Sequence, residues 1–236
     1  MSVSVGVRPV IDRTDVRTAF VEEVIAGDAP RQRAAAAALV SHWRPDRWPA
    51  GLQSLNCFIS TDGNSLLTYS QWASAAALDE ALRREESILR PDWEALGVRP
   101  GQPAAYELYR VVRPLKLPDP MPVTGCYPAA VFAMNGHEAA REWIDGLLGS
   151  EEETEGEERA YPGALAAHFH VASDGTGVFL LSEWASEPEA AAHITEVIEP
   201  LLEHMGQGGP ERAPVTASTR GCPRRSGAEE PEMRPA

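Results

Sequence analysis

Residues Trp48 to Ser74, WPAGLQSLNCFISTDGNSLLTYSQWAS, and Tyr161 to Ser186, YPGALAAHFHVASDGTGVFLLSEWAS, share an aromatic-Pro start, a Ser/Thr-Asp-Gly turn and a Trp-Ala-Ser close in the same order. Trp184 follows Trp72 by 112 residues, with one extra residue before the turn in the first copy. A period this long exceeds any solenoid unit and matches a whole small domain. The chain therefore reads as two copies of one unit, able to pair within a single molecule as a pseudo-dimer.

With 236 residues, 43% of them apolar, the chain can bury a core of its own. Net charge is -14 and the basic residues form no stripe interleaved with aromatics, which argues against a nucleic-acid partner. No apolar run has signal-peptide length or approaches the roughly 18 residues of a membrane span, so the expectation is a cytoplasmic protein with no membrane partner. Cys57, Cys126 and Cys222 are odd in number and scattered, which suits neither a disulfide framework nor a metal knuckle.

Strand and helix signals place the same order of elements in both copies. In the first, TAFVEEVI (Thr18 to Ile25) predicts a strand and Pro30 to Trp43 a helix capped by Asp28. Leu52 to Ser60 and Ser65 to Ala73 predict a hairpin, and Ser74 caps a helix that runs to Arg90, ahead of Pro91. A strand at Ala105 to Val112 completes β-α-β-β-α-β, the ferredoxin-like split unit. The second copy predicts a strand at Pro128 to Met134 and a helix from His137 to Leu148. A hairpin across Ser173 to Thr176, a helix from about Pro188 to His204 and a strand at Pro214 to Thr219 follow. The units span residues 14–114 and 126–220, joined by a Pro-rich linker at 115–125. The acidic run Glu151 to Glu158 predicts a solvated loop, and the tail 221–236 lacks apolar residues to order it. The fold class is α+β, two tandem ferredoxin-like units closing an intramolecular dimeric α+β barrel.

A sheet with helices on one face must bury its other face, and the second copy is the available partner. Strand alternation puts Leu55, Cys57 and Ile59, and likewise Ala167, Phe169 and Val171, under the helices. The opposite set, Asn56 and Phe58 with His168 and His170, then lines the space between the sheets. Tyr69 and Gln71 join it from the next strand, with Phe179 and Glu183 as their counterparts. Trp72 and Trp184 fall under the helices as packing residues at strand-to-helix corners. An inward Asn56 amide calls for a hydrogen-bond partner, in a neighbouring backbone group or in a ligand. His168 and His170 lack a third ligand of matching geometry, so proton handling suits them better than a metal. His193 lies on the last helix, with Ala81 as its counterpart, so one copy alone can use it.

The segment SDGTGVFLLSEWASEPEAAAHI and its first copy TDGNSLLTYSQWASAAALDEAL resemble the antibiotic biosynthesis monooxygenase family, whose members share a dimeric α+β barrel. The tandem arrangement resembles the oxygenases that tailor aromatic polyketides, anthrone oxidases and the enzymes that open the angucycline B ring among them. The resemblance implies oxidation of a polycyclic phenol or quinone by dioxygen. His168, His170, Asn56 and His193 would be catalytic, with Phe58, Tyr69, Gln71, Phe179, Glu183, Trp72 and Trp184 around the substrate. No dinucleotide fingerprint and no P-loop is present, which predicts no permanently bound cofactor. Reduced flavin, FADH2 or FMNH2, would arrive as a diffusible co-substrate from a separate reductase. The rival readings are a haem-degrading oxygenase and a ligand-binding barrel without turnover. The protein would exist as a monomeric pseudo-dimer or a homodimer.

Overall fold

The computed structural model describes residues 8–43, 48–84, 91–116, 119–155, 161–205 and 219–220. The first half holds β1 (Thr18–Ile25), α1 (Ala29–His42), β2 (Leu52–Ser60), β3 (Ser65–Trp72), α2 (Ala75–Arg83), β4 (Arg99–Pro100) and β5 (Ala104–Val112). The second holds β6 (Ala129–Ala133), α3 (His137–Glu155), β7 (Ala164–Ala172), β8 (Gly177–Trp184), α4 (Glu187–His193), a π turn (Ile194–Ile198), α5 (Glu199–Met205) and β9 (Thr219–Arg220). Caps stand where local chemistry demands them. The side chains of Asp28, Ser74 and Ser186 accept from the backbone N–H groups of Arg31, Ala77 and Glu189, satisfying donors that open a helix.

The halves match in detail. Gly63 and Gly175 turn their hairpins at φ +76° and +77°, a region that favours glycine. A register shift interrupts β2–β3 between Leu52 and Ser54 and β7–β8 between Ala164 and Ala166. Each corner tryptophan donates its indole N–H to a serine two residues back, Trp72 to Ser70 at 3.0 Å and Trp184 to Ser182 at 3.1 Å.

One sheet runs β6-β8-β7-β5-β1-β3-β2-β9, with β4 on β1, and the halves join where β5 pairs antiparallel with β7. β3 and β7 stand three places apart in that order, roughly 14 Å in a flat sheet. The hydroxyl of Tyr69 on β3 nevertheless lies 3.1 Å from Nε2 of His170 on β7, so the sheet curls until its inner face meets itself. Phe58, Leu67 and Tyr69 from the first half share that inner core with Tyr127, Phe179 and Leu181 from the second. The outer face carries the helices, in separate clusters under α1, α2 and α3.

Several expectations are corrected. The helix expected to end at Leu148 continues to Glu155, and the acidic run expected as a solvated loop begins inside it. Its buried stripe, Ala140, Ile144 and Leu147, reaches Glu151 at the helical period, so Glu151 is buried although its neighbours Glu152 and Glu153 are exposed. The helix expected from about Pro188 to His204 is present without a gap over residues 187–205, but its α register is interrupted by the π turn, in which the Glu199 N–H donates to the Ile194 carbonyl. Pro200 supplies the reason, since it has no N–H to give the Glu196 carbonyl. Residues 8–12, outside the expected unit, join the core: Ile11 is buried and its carbonyl accepts from the Gln71 amide at 2.8 Å. The linker's end is also structured, for Gly125 and Cys126 donate to the Trp184 carbonyl. The end of the helix toward Arg90, most of the strand at Pro214 to Thr219 and the tail 221–236 lie outside the described residues.

Candidate functional site

A cavity of about 140 Å³ opens between the outer face of β6, β7 and β8 and the layer made by α3, α4, the π turn and α5. An engineered apolar cavity of about 150 Å³ takes up benzene, so this space accommodates an aromatic ring. Its walls are apolar and aromatic, Phe132, Phe169, Leu180 and Trp184 among them, with Tyr161, Ser182, Glu151 and His193 as polar points. Few polar groups on apolar walls are what a small-molecule site needs for orientation.

The cavity exists because the second copy carries small residues where the first carries large ones. Ala164 and Ala167 line it, while the counterparts Leu52 and Leu55 pack against Trp72, Trp43 and Trp48 in the first half. His193 stands where the first copy has Ala81, which is buried in that same packed cluster. The His193 ring lies 4.1 Å from the Tyr161 ring and 4.9 Å from the Trp184 ring, centroid to centroid. Its Nδ1 is buried without a hydrogen-bond partner. Burial lowers its pKa to about 4, so the ring is neutral near pH 7 and offers a lone pair. With the proton assigned to Nε2, Nδ1 is an acceptor facing no donor among the described residues.

The residues expected to line the inter-sheet space form a different group, on the opposite face of the same strands. His168 and His170 are fully buried, and neither lines the cavity. His170 Nδ1 sits 3.1 Å from the His168 carbonyl and 3.2 Å from the Phe179 carbonyl, so it carries the proton, and Nε2 accepts from Tyr69. Burial, aided by the neighbouring His168, lowers the His170 pKa to about 3. Burial likewise pushes the Tyr69 phenol up, consistent with its donating. His168 Nε2 donates to Glu183 Oε1 at 3.0 Å, and its Nδ1 is buried without a partner. Glu183 Oε2 accepts from Arg8 Nε at 3.0 Å and from the Thr124 hydroxyl at 3.1 Å. Burial raises the Glu183 carboxyl, but the His168 and Arg8 bonds outweigh it and the net direction is down.

Asn56 donates to the Ser54 hydroxyl at 3.1 Å and to the Tyr69 carbonyl at 3.2 Å, so its amide already has partners within the protein. Gln71 accepts from Ser54 and donates to Ile11, and Phe58 packs at 5.0 Å on Tyr127. Trp72 is sealed in the first half's packed cluster, whereas Trp184 lines the cavity. Of the expected site residues, His193 and Trp184 alone meet at the cavity. Tyr161, Glu151 and the paired alanines were not anticipated there, nor was Arg8 in the inner network. Replacing Glu183 by Ala would strip the charge partner from Arg8 and the acceptor from buried His168, with an expected loss of about 3 kcal/mol of stability on chemical denaturation. An unchanged denaturation midpoint would show that this network holds nothing together.

Among the described residues no group of three or more His, Cys, Asp or Glu side chains is arranged to hold a metal ion. Nor is any helix among them long and apolar enough to cross a membrane.

No family model matches the chain, and no curated protein matches it. Solved structures do. An anthrone oxidase-like protein superposes with a TM-score of 0.58 at 14% identity, over 86% of this chain and 91% of its own. A candidate monooxygenase from Fusobacterium nucleatum subsp. nucleatum gives 0.51 at 11% identity, over 88% and 96%. Chlorite dismutase from Candidatus Nitrospira defluvii, in complex with imidazole, gives 0.54 at 10% identity, over 89% and 93%. At these identities the likeness is one of fold. The chain shares its α+β architecture, an antiparallel sheet backed by helices, with these proteins over nearly their whole length.

Proposed function

We propose that the chain is an oxygenase that oxidises a phenolic aromatic, of the kind made as a polyketide in antibiotic biosynthesis, in the cavity beneath α3 and α4. The observation that carries this is His193, neutral and with a buried, unpartnered Nδ1, set between two aromatic rings in a largely apolar space. A buried acceptor without a partner is costly, and a substrate hydroxyl would satisfy it. The fold shared with an anthrone oxidase-like protein supports the same direction. The architecture belongs to this proposal too: two units, 14–114 and 126–220, that complete a closed barrel.

His193 would take the phenolic proton, or the proton of a carbon activated by the ring, and hold it beside the anion it has made. Tyr161 and Trp184 would clamp the ring. The electron-rich anion transfers an electron to dioxygen, and the two radicals combine to form a carbon–oxygen bond. Loss of water then leaves a carbonyl. For an anthrone the balance is CH2 plus O2 giving C=O plus H2O, with no external reductant. Apolar walls exclude water from the anion and the dioxygen.

Among the described residues that line the cavity there is no Lys or Arg to meet a flavin phosphate, and the space is too small for a haem macrocycle. These residues do not fit a resident flavin or haem, and no step is routed through either.

The test is oxygen uptake with anthrone as probe, without added flavin. One O2 consumed per anthrone, with one atom of label from 18O2 in the new carbonyl, is the expected result. Uptake at the rate of the protein-free control would sink the reading. Uptake only with reduced flavin would sink the cofactor-free chemistry.

A further inference from the structure

Tyr69 and His170 lie outside the cavity and face each other on the inner side of the curled sheet, 1% and 0% exposed. The Tyr69 hydroxyl donates to His170 Nε2 at 3.1 Å, while His170 Nδ1 is held by the His168 and Phe179 carbonyls at 3.1 and 3.2 Å. With its proton fixed on Nδ1, the imidazole turns its lone pair to the phenol. Aromatic rings lead away from the pair: Phe179 stacks on Tyr69 at 6.3 Å between centroids, and Tyr106 packs on Phe179 at 5.4 Å. Tyr106, 6% exposed, brings this string of rings toward the surface.

A phenol beside a base gives up an electron more readily, because its proton leaves in the same step. The oxidised phenol is a far stronger acid than an imidazolium, so the proton moves to Nε2 even though burial disfavours the charged ring. That same cost sends the proton back when the electron returns. Water, which would carry the proton off or let the radical react, is excluded from a pair this buried.

We propose that Tyr69 and His170 form a one-electron redox site on the face of the sheet opposite the cavity. A diffusible one-electron oxidant of the peroxyl-radical class takes an electron from Tyr69 and becomes a peroxide anion. The Tyr69 phenol becomes a neutral tyrosyl radical, its O–H bond breaks, and the proton bonds to His170 Nε2. A reductant of the phenolate class then supplies one electron, becoming a phenoxyl radical itself, and the proton returns to Tyr69. The site needs no turnover in the cavity, and it stands or falls apart from the oxygenase reading.

Photo-oxidation of the full chain with tris(bipyridine)ruthenium and persulfate, followed by freezing and electron paramagnetic resonance, tests it. The natural protein should give a tyrosyl signal. Electron–nuclear double resonance after exchange into D2O should show one deuteron hydrogen-bonded to the radical oxygen. Tyr69→Phe should lose most of that signal. His170→Gln keeps an acceptor for the hydroxyl but no base, and should slow radical formation about tenfold or more, which a merely structural His170 would not do. The absence of a tyrosyl signal, a signal undiminished in Tyr69→Phe, a rate unchanged in His170→Gln, or a radical without the bonded deuteron overturns the proposal.

Discussion

His193→Phe is expected to lower kcat/KM for anthrone oxidation by about a hundredfold or more, the usual range for removing a general base. Phe keeps the ring between Tyr161 and Trp184 and deletes only the acceptor, so packing should survive while proton transfer does not. The loss should shrink as pH rises toward the phenol's own pKa, because solution then makes the anion that His193 otherwise generates. His168→Gln should cost far less activity, since that ring is tied to Glu183 inside the sheet and does not line the cavity. This reverses the weighting the sequence suggested. Equal losses from the two substitutions, or a pH-independent loss in His193→Phe, would put the chemistry elsewhere.

Stability is expected to fall steeply as pH drops below about 6.5, and His170 should carry about one proton of that slope. The unfolded imidazole titrates near 6.5, whereas the folded one stays neutral until about pH 3. Between those values the unfolded state binds the extra proton, so stability is undiminished above 6.5 and is lost as pH falls through the window. Over the whole window the loss is on the order of 4 kcal/mol for a group this buried. His193 adds a second, smaller contribution of the same sign, as it is only partly covered. Urea denaturation at half-unit pH steps from 7 to 4 should show His170→Leu less stable at pH 7 but shallower in slope by about one proton. A variant with an unchanged slope would mean that His170 is charged in the folded protein.

The strands and caps were legible because each rests on a local rule. Alternation in Leu52–Ser60 and Ala164–Ala172, Gly at the positive-φ turn and Ser before each second helix fix elements without reference to the rest of the chain. Facing was legible for the same reason, and the inward and outward sets of both hairpins lie as alternation predicts. What alternation does not say is which face keeps empty space. Inward polar residues suggested a site between the sheets, but side chains from both halves fill that space and most of them pair, as Tyr69 does His170, with His168 Nδ1 left unpartnered. The site instead follows from side-chain volume. Ala164 and Ala167 against Leu52 and Leu55, with His193 against Ala81, were visible in the repeat as a deficit on the outer face. Glu151 was hidden by its neighbours: a carboxylate run reads as solvated, yet Ala140, Ile144, Leu147 and Glu151 keep one helical stripe. Arg8 gave no signal, since its partner Glu183 lies 175 residues away.

If volume at two alanines makes the site, restoring the first copy's residues should abolish it. Ala164→Leu with Ala167→Leu fills the cavity and should leave a protein at least as stable as the original, because added apolar volume goes into empty space rather than into packed core. Titration of 1-naphthol by calorimetry into this double variant, beside the natural protein, is the most direct measurement. Loss of binding and of anthrone oxidation in a variant with an undiminished denaturation midpoint is the predicted result. Binding and turnover that persist with the cavity filled would place the site somewhere other than beneath α3 and α4.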